Sequence, residues 1–143
     1  MNLSQNFTLE ELTRSEAAAR GGWDNSPNEQ ELENLKRLAA LLQDVKAAVG
    51  GKPVIINSGF RSKPVNDAVG SKDSSQHRLG CAADFRVPRM TPREVVEACI
   101  DLPFDQIILE FDSWTHISVP NSADAAPRGS KLIIDRQGVR PLD

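Results

Sequence analysis

The earliest apolar positions to fall into register follow a helix signal. In Phe7-Thr8-Leu9-Glu10-Glu11-Leu12, Thr8 and Glu11 are spaced as a capping box and Phe7 can staple onto Leu12, so a short helix opens the chain. Ser15 caps a second short turn through Arg20, after which Gly21-Gly22 and Asn25-Ser26-Pro27 break the chain. Ser26-Pro27-Asn28-Glu29 repeats the capping signal with proline at the first helical position. Leu32, Leu35, Leu38, Leu41, Leu42, Val45 and Val49 then lie on one helical stripe that Gly50-Gly51 ends, which predicts the main core helix.

Beyond Gly51 the period changes. Pro53 to Asn57 is a β-branched run that suits a buried strand, and Ala82 to Val87 is another, ended by Pro88. The polar stretch between them carries a short helix from Pro64 to Val69 and then a loop. Thr91-Pro92-Arg93-Glu94 opens a third capped helix, with Val95, Val96, Cys99 and Ile100 as its apolar face. Three strand-like runs follow, from Gln106 to Phe111, Thr115 to Val119 and Lys131 to Asp135. Helices come mainly first and strands mainly last, with tight connections. The pattern predicts an α+β fold, an antiparallel sheet with helices packed on one side.

Composition narrows the class. The chain has 143 residues, 39% of them apolar, which is enough for one domain, residues 1–143, to bury a core without staples. Lys and Arg number 17 against 20 Asp and Glu, a net charge of −3 with no basic tract, so neither nucleic acid nor an anionic membrane is an expected partner. No run reaches the roughly 18 apolar residues of a spanning helix, and the first thirty residues carry no export signal, so synthesis in the cytoplasm is expected. Cys81 and Cys99 stand in apolar contexts and read as buried small hydrophobes.

Candidate chemistry rests on the only two histidines, His77 and His116, with Asp84 seven residues after the first. Zinc takes imidazole nitrogen and carboxylate oxygen, and a catalytic site uses three protein ligands with a fourth position open. Two histidines and an aspartate are also ordinary furniture of a domain this size. Context favours a site: Asp84 interrupts an apolar strand, where an unpaired carboxylate is costly. On the later strand His116 and Ser118 share one face, Ile117 and Val119 the other. Ile108 and Glu110 share a face of the preceding strand, so a turn through Asp112 and Ser113 can bring Glu110 near His116 as a base.

Ser58-Gly59-Phe60-Arg61-Ser62, Val65-Asn66, Val69-Gly70, Ser75-Gln76-His77, Gly80, Ala82-Ala83-Asp84-Phe85 and Glu110 with Trp114-Thr115-His116-Ile117-Ser118 resemble the zinc D-alanyl-D-alanine carboxypeptidase family, in particular its short phage and bacterial peptidoglycan peptidases of endolysin type. The likeness runs from about residue 5 to 120 and includes the Asp24-Asn25-Ser26-Pro27 turn. It implies a Zn²⁺ site at the sheet face with His77, Asp84 and His116 as ligands, Glu110 as general base with Asp112 as the alternative, and Arg61 beside the substrate. Ser75, Gln76 and Asn66 either shape the loop or touch substrate. The implied activity is hydrolysis of peptide bonds in peptidoglycan stem peptides by a monomer, as a D,D-carboxypeptidase or an endopeptidase. The implied setting is the cell wall, reached during phage lysis or from a virion. The alternative is a catalytically inactive binding module of the same fold, as hedgehog signalling domains exemplify; Glu110 separates the two.

Overall fold

The computed structural model describes residues 1–142. Its elements are α1 (Leu9–Thr13), α2 (Glu16–Gly21), α3 (Glu29–Ala48), β1 (Ile55–Ser58), α4 (Lys63–Ala68), α5 (Gln76–Leu79), β2 (Ala82–Arg86), α6 (Pro92–Ala98), β3 (Gln106–Glu110), β4 (Trp114–Ser118), β5 (Ser130–Asp135) and β6 (Gly138–Pro141). Complete capping boxes start α1 at Thr8 with Glu11 and α6 at Thr91 with Glu94, and Ser15 caps α2, all as the spacing predicts. The start of α3 differs. Ser26 is drawn into a turn in which its N–H and hydroxyl both donate to Asp24 Oδ1, at 3.0 and 2.7 Å. The capping box therefore passes to Asn28 and Glu31.

Helix α3 buries Leu35, Leu38, Ala39, Leu41, Leu42 and Val45 in one apolar cluster with Phe7 and Leu12 from the N-terminal segment. The same cluster takes Ala83 and Phe85 from β2, Ile107 and Leu109 from β3, Ile117 from β4, and Val95, Val96 and Cys99 from α6. Each such leucine or phenylalanine withdrawn from water contributes about 1.5–3 kcal/mol. Because side chains alternate along a strand, burying this face sends Asp84, Ile108, Glu110 and His116 to the other. Both cysteines are free and buried, and burial raises their thiols, Cys99 to about 11.

The six strands run in the order β1-β2-β4-β3-β5-β6. Four of the neighbouring pairs are antiparallel, as expected, but β5 lies parallel to β3, with Ile108 level with Leu132 and Glu110 with Ile134. The segment between Ser118 and Ser130 carries the chain across the starting end of β3 to its other side, which a tight hairpin would not do. Asp105 fastens that crossing. Its carboxylate accepts from Arg128 Nε at 3.0 Å and Nη2 at 2.7 Å, its backbone carbonyl accepts from Ser130 N at 3.0 Å, and its own N–H donates to Ser118 O at 2.8 Å. Strand β6, absent from the pattern reading, is a short exposed hairpin partner of β5. Among the described residues no helix is long and apolar enough to cross a membrane.

Hydrogen bonds from Arg128 hold the Asp105 carboxyl below its ordinary value, against burial, which acts in the opposite direction. A carboxyl depressed in the folded chain stabilises above its unfolded pKa, and that contribution disappears as pH falls through the folded value. Asp105→Asn is therefore expected to cost about 1–3 kcal/mol at pH 7. Thermal melts of wild type and variant should converge as the pH drops below about 4.

Candidate functional site

Neighbouring strands place Asp84 opposite His116 and His116 opposite Ile108. This row lies on the sheet face turned away from the core cluster. His77 reaches it from a separate element, α5, a four-residue helix that the polar composition of the stretch concealed. Ser75 caps that helix, accepting from the His77 N–H at 3.3 Å. Gly80 ends it at φ +80°, where a Cβ would stand 2.8 Å from Glu31 O. This left-handed exit turns the chain directly into β2.

The three side chains converge. His77 Nε2 is 3.3 Å from Asp84 Oδ1, and His116 Nδ1 is 2.9 Å from the same oxygen. One donor atom from each residue lies within 4.8 Å of the others. His77 Nδ1 is 2.7 Å from Gly59 O, and a carbonyl only accepts, so Nδ1 carries a proton and Nε2 is the ring atom turned to the carboxylate. A cation, or a proton on Nε2, makes that contact favourable. Three ligands about 2.1 Å from a tetrahedral zinc ion stand roughly 3.4 Å apart, so this donor set suits such an ion in kind and spacing.

Asp84, His77 and His116 are 9%, 4% and 8% exposed. Burial drives the Asp84 carboxyl upward, but the attraction of His77 and hydrogen bonds from His116 and His77 outweigh it and hold the acid below the usual carboxylate range. Arg61 Nη2 stands 3.7 Å from Asp84 Oδ2. Burial lowers its guanidinium from the ordinary value, against the opposing pull of Asp84 and Glu110.

Glu110 is half-buried at the end of β3, with Oε1 4.0 Å from His116 Nδ1. Burial raises its carboxyl, and the Asp84 charge adds to the rise against His116, Trp114 and Arg61. The turn that presents it is strained: Phe111 and Asp112 adopt φ of 52° and 50°. Left-handed backbone costs a non-glycine residue about 1–2 kcal/mol. Donation from Phe111 N to Ile134 O at 2.8 Å and from Ser113 N to Glu110 O at 2.9 Å, with the Phe111 ring 5.9 Å from that of Trp114, offsets the strain. A left-handed pair also matches the twist of a hairpin.

Asp112 is exposed and borders a cavity with Arg93, Leu109, Ile133 and Arg140, on the opposite face from His116. Ser75, Gln76 and Asn66 make loop contacts. The Gln76 amide donates to Asp105 Oδ2, Val119 O and Asn121 Oδ1 at 3.2, 3.0 and 2.8 Å, and Asn66 Nδ2 donates to Lys72 O at 2.9 Å. The sequence reads Asn25 only as part of a chain-breaking turn and gives no signal for Asp105, because the partners of both are backbone groups and side chains distant in sequence.

The Peptidase M15 family model matches residues 5–118. The zinc D-Ala-D-Ala carboxypeptidase of Streptomyces albus G is 37% identical over 80 residues, 56% of this chain and 31% of the relative, so the chain spans less than a third of that protein's length.

Gly59 supplies the carbonyl that orients His77, and a Cβ on it would meet Leu12 O at 2.4 Å. Neither group is a flexible side chain. Gly59→Ala is expected to lower the melting temperature by about 5–10 °C, as an overpacked site costing about 2 kcal/mol would in a domain of this size. A melt monitored by circular dichroism checks it.

Proposed function

The chain belongs to the Peptidase M15 family, and from that premise we propose that it is a zinc metallopeptidase acting on peptide bonds of peptidoglycan stem peptides. The observation that carries the reading is the convergence of His77, Asp84 and His116 within 4.8 Å, with Glu110 and Arg61 beside them. His77 through Nε2, Asp84 through Oδ1 and His116 through Nδ1 are the proposed ligands. The chemistry the ion supplies when bound is Lewis acidity, toward a scissile carbonyl and toward water.

The remaining work falls to side chains of this protein. Glu110 accepts the proton of the attacking water at a carboxylate oxygen and returns it to the leaving amine, a role suited to a carboxyl whose pKa burial has raised. Arg61 offers a rigid fork of donors to a free terminal carboxylate or to an internal carbonyl, so it serves cleavage at a D-alanyl end or within the stem peptide. The His77 bond to Gly59 O fixes both tautomer and ring orientation, as an outer partner of a metal-binding imidazole does. A module that only binds has no use for a half-buried carboxylate 4.0 Å from His116, so Glu110 favours turnover.

Elemental analysis should find one zinc per chain in wild type and little in His77→Ala or His116→Ala. Full zinc in His116→Ala would remove that ligand from the assignment. Glu110→Gln should keep the metal and lose about 10²–10⁴ in kcat, since an amide preserves shape but accepts no proton. Asp112→Asn should retain most activity. Mass spectrometry of digested muropeptides identifies the bond by its new ends, and intact muropeptides after digestion with zinc-loaded protein would sink the substrate assignment.

A further inference from the structure

We propose that Asn25 is a positioning residue for Arg61, holding by its side-chain amide the backbone from which the guanidinium reaches the site; the proposal rests on the peptidase reading above. The Arg61 side chain ends in an ion pair with Asp84, whose Oδ2 is 3.7 Å away, and among the described residues in no hydrogen bond to protein. Its donors are thereby left for substrate. No hydrogen bond at the tip fixes the side chain, so its direction depends on where it leaves the main chain.

The main chain is gripped on both sides of Arg61 by one amide. Asn25 Nδ2 donates to Phe60 O at 3.1 Å, and Asn25 Oδ1 accepts from Ser62 N at 2.8 Å. The second Nδ2 hydrogen goes to Thr13 O at 2.7 Å, which anchors the clamp to the end of α1. Phe60 N donates to Leu12 O at 2.8 Å and Arg61 N to His77 O at 3.0 Å, so the segment is also tied to the core and to the ligand helix. A carboxamide is the side chain that bonds a carbonyl and an N–H at once. Aspartate at position 25 would keep the Ser62 contact and set a charge against two carbonyls. Alanine would free both peptide groups.

A group that holds a reacting partner in place loses its effect once that partner is gone, which separates positioning from general stability. Asn25→Ala is expected to lower kcat/KM for stem-peptide hydrolysis about 10-fold or more, since a misplacement of about 1 Å costs as much as 10²-fold. In an Arg61→Ala background the same change should cost less than about 2-fold. Zinc content should be unaltered in both. Asn25→Asp should fall with Asn25→Ala, and Gln43→Ala, which removes an amide tying the N-terminal segment to α3, should leave kcat/KM at the wild-type value. Equal fractional losses in the two backgrounds would overturn the proposal.

A second readout needs no catalysis. The Arg61 Nε–H signal in ¹H–¹⁵N spectra, identified by its loss in Arg61→Lys, should shift or broaden in Asn25→Ala and stay unchanged in Gln43→Ala. An unchanged Arg61 signal in Asn25→Ala would overturn the proposal. Should wild-type protein hydrolyse no stem peptide, the peptidase reading falls, and the spectra still decide whether Asn25 holds Arg61.

Discussion

A carboxylate withdrawn from water in the middle of a sheet is the constraint around which this protein is organised. Asp84 stands between two imidazoles that both approach Oδ1, with an arginine beyond Oδ2. Left alone, a buried carboxylate would take up a proton or destabilise the fold. Surrounded by cationic and hydrogen-bonding partners, it stays ionised. The same partners have to be held firmly, because a loosened member would leave the others uncompensated.

That demand explains the scaffold around the site. Strand register alone delivers Asp84, His116 and Glu110 to one face, since their neighbours on β2, β3 and β4 fill the core on the other. His77 lies outside the sheet and needs separate support. It receives this from the Ser75 cap, the left-handed Gly80 exit and the Gly59 carbonyl. The N-terminal helices, which contribute no candidate ligand, brace the Gly59–Ser62 segment through Leu12, Thr13 and Asn25. Chain remote from the proposed ligands thus decides how well they and Arg61 are aimed.

The two sides of the site differ in how much strain they hold. Around His77 the backbone is relaxed wherever glycine takes the positive φ, whereas the turn beyond Glu110 forces Phe111 and Asp112 into left-handed geometry. Parallel β5 stabilises that turn, with Ile134 O accepting from Phe111 N. Since β5 is itself held in place by Arg128 on Asp105, an ion pair at the far end of the sheet supports the geometry of Glu110. Asp105 reaches the other side too, through Gln76 on the helix that carries His77.

Local chemistry made much of this legible. Capping boxes at Thr8 and Thr91, the leucine stripe of α3 and the alternation in β2, β3 and β4 need only neighbouring residues to be read, so the α+β class followed from them, as did the face shared by His116 and Glu110. The resemblance in the Ser-x-His, Asp84 and Trp-x-His segments reached the M15 family by the same local route. Tertiary structure decided what depends on distant partners. The parallel course of β5 follows from the Asp105–Arg128 contact, whose two residues lie on either side of the β3–β4 hairpin. Helix α5 was hidden because three of its four residues are polar and its stability comes from caps and packing, and the start of α3 moved because Asp24 captured Ser26. Asn25 reads in the sequence as a chain breaker. Its bonds to Thr13, Phe60 and Ser62 exist only once three segments have met, and a pattern along the chain carries no record of an amide's partners in space.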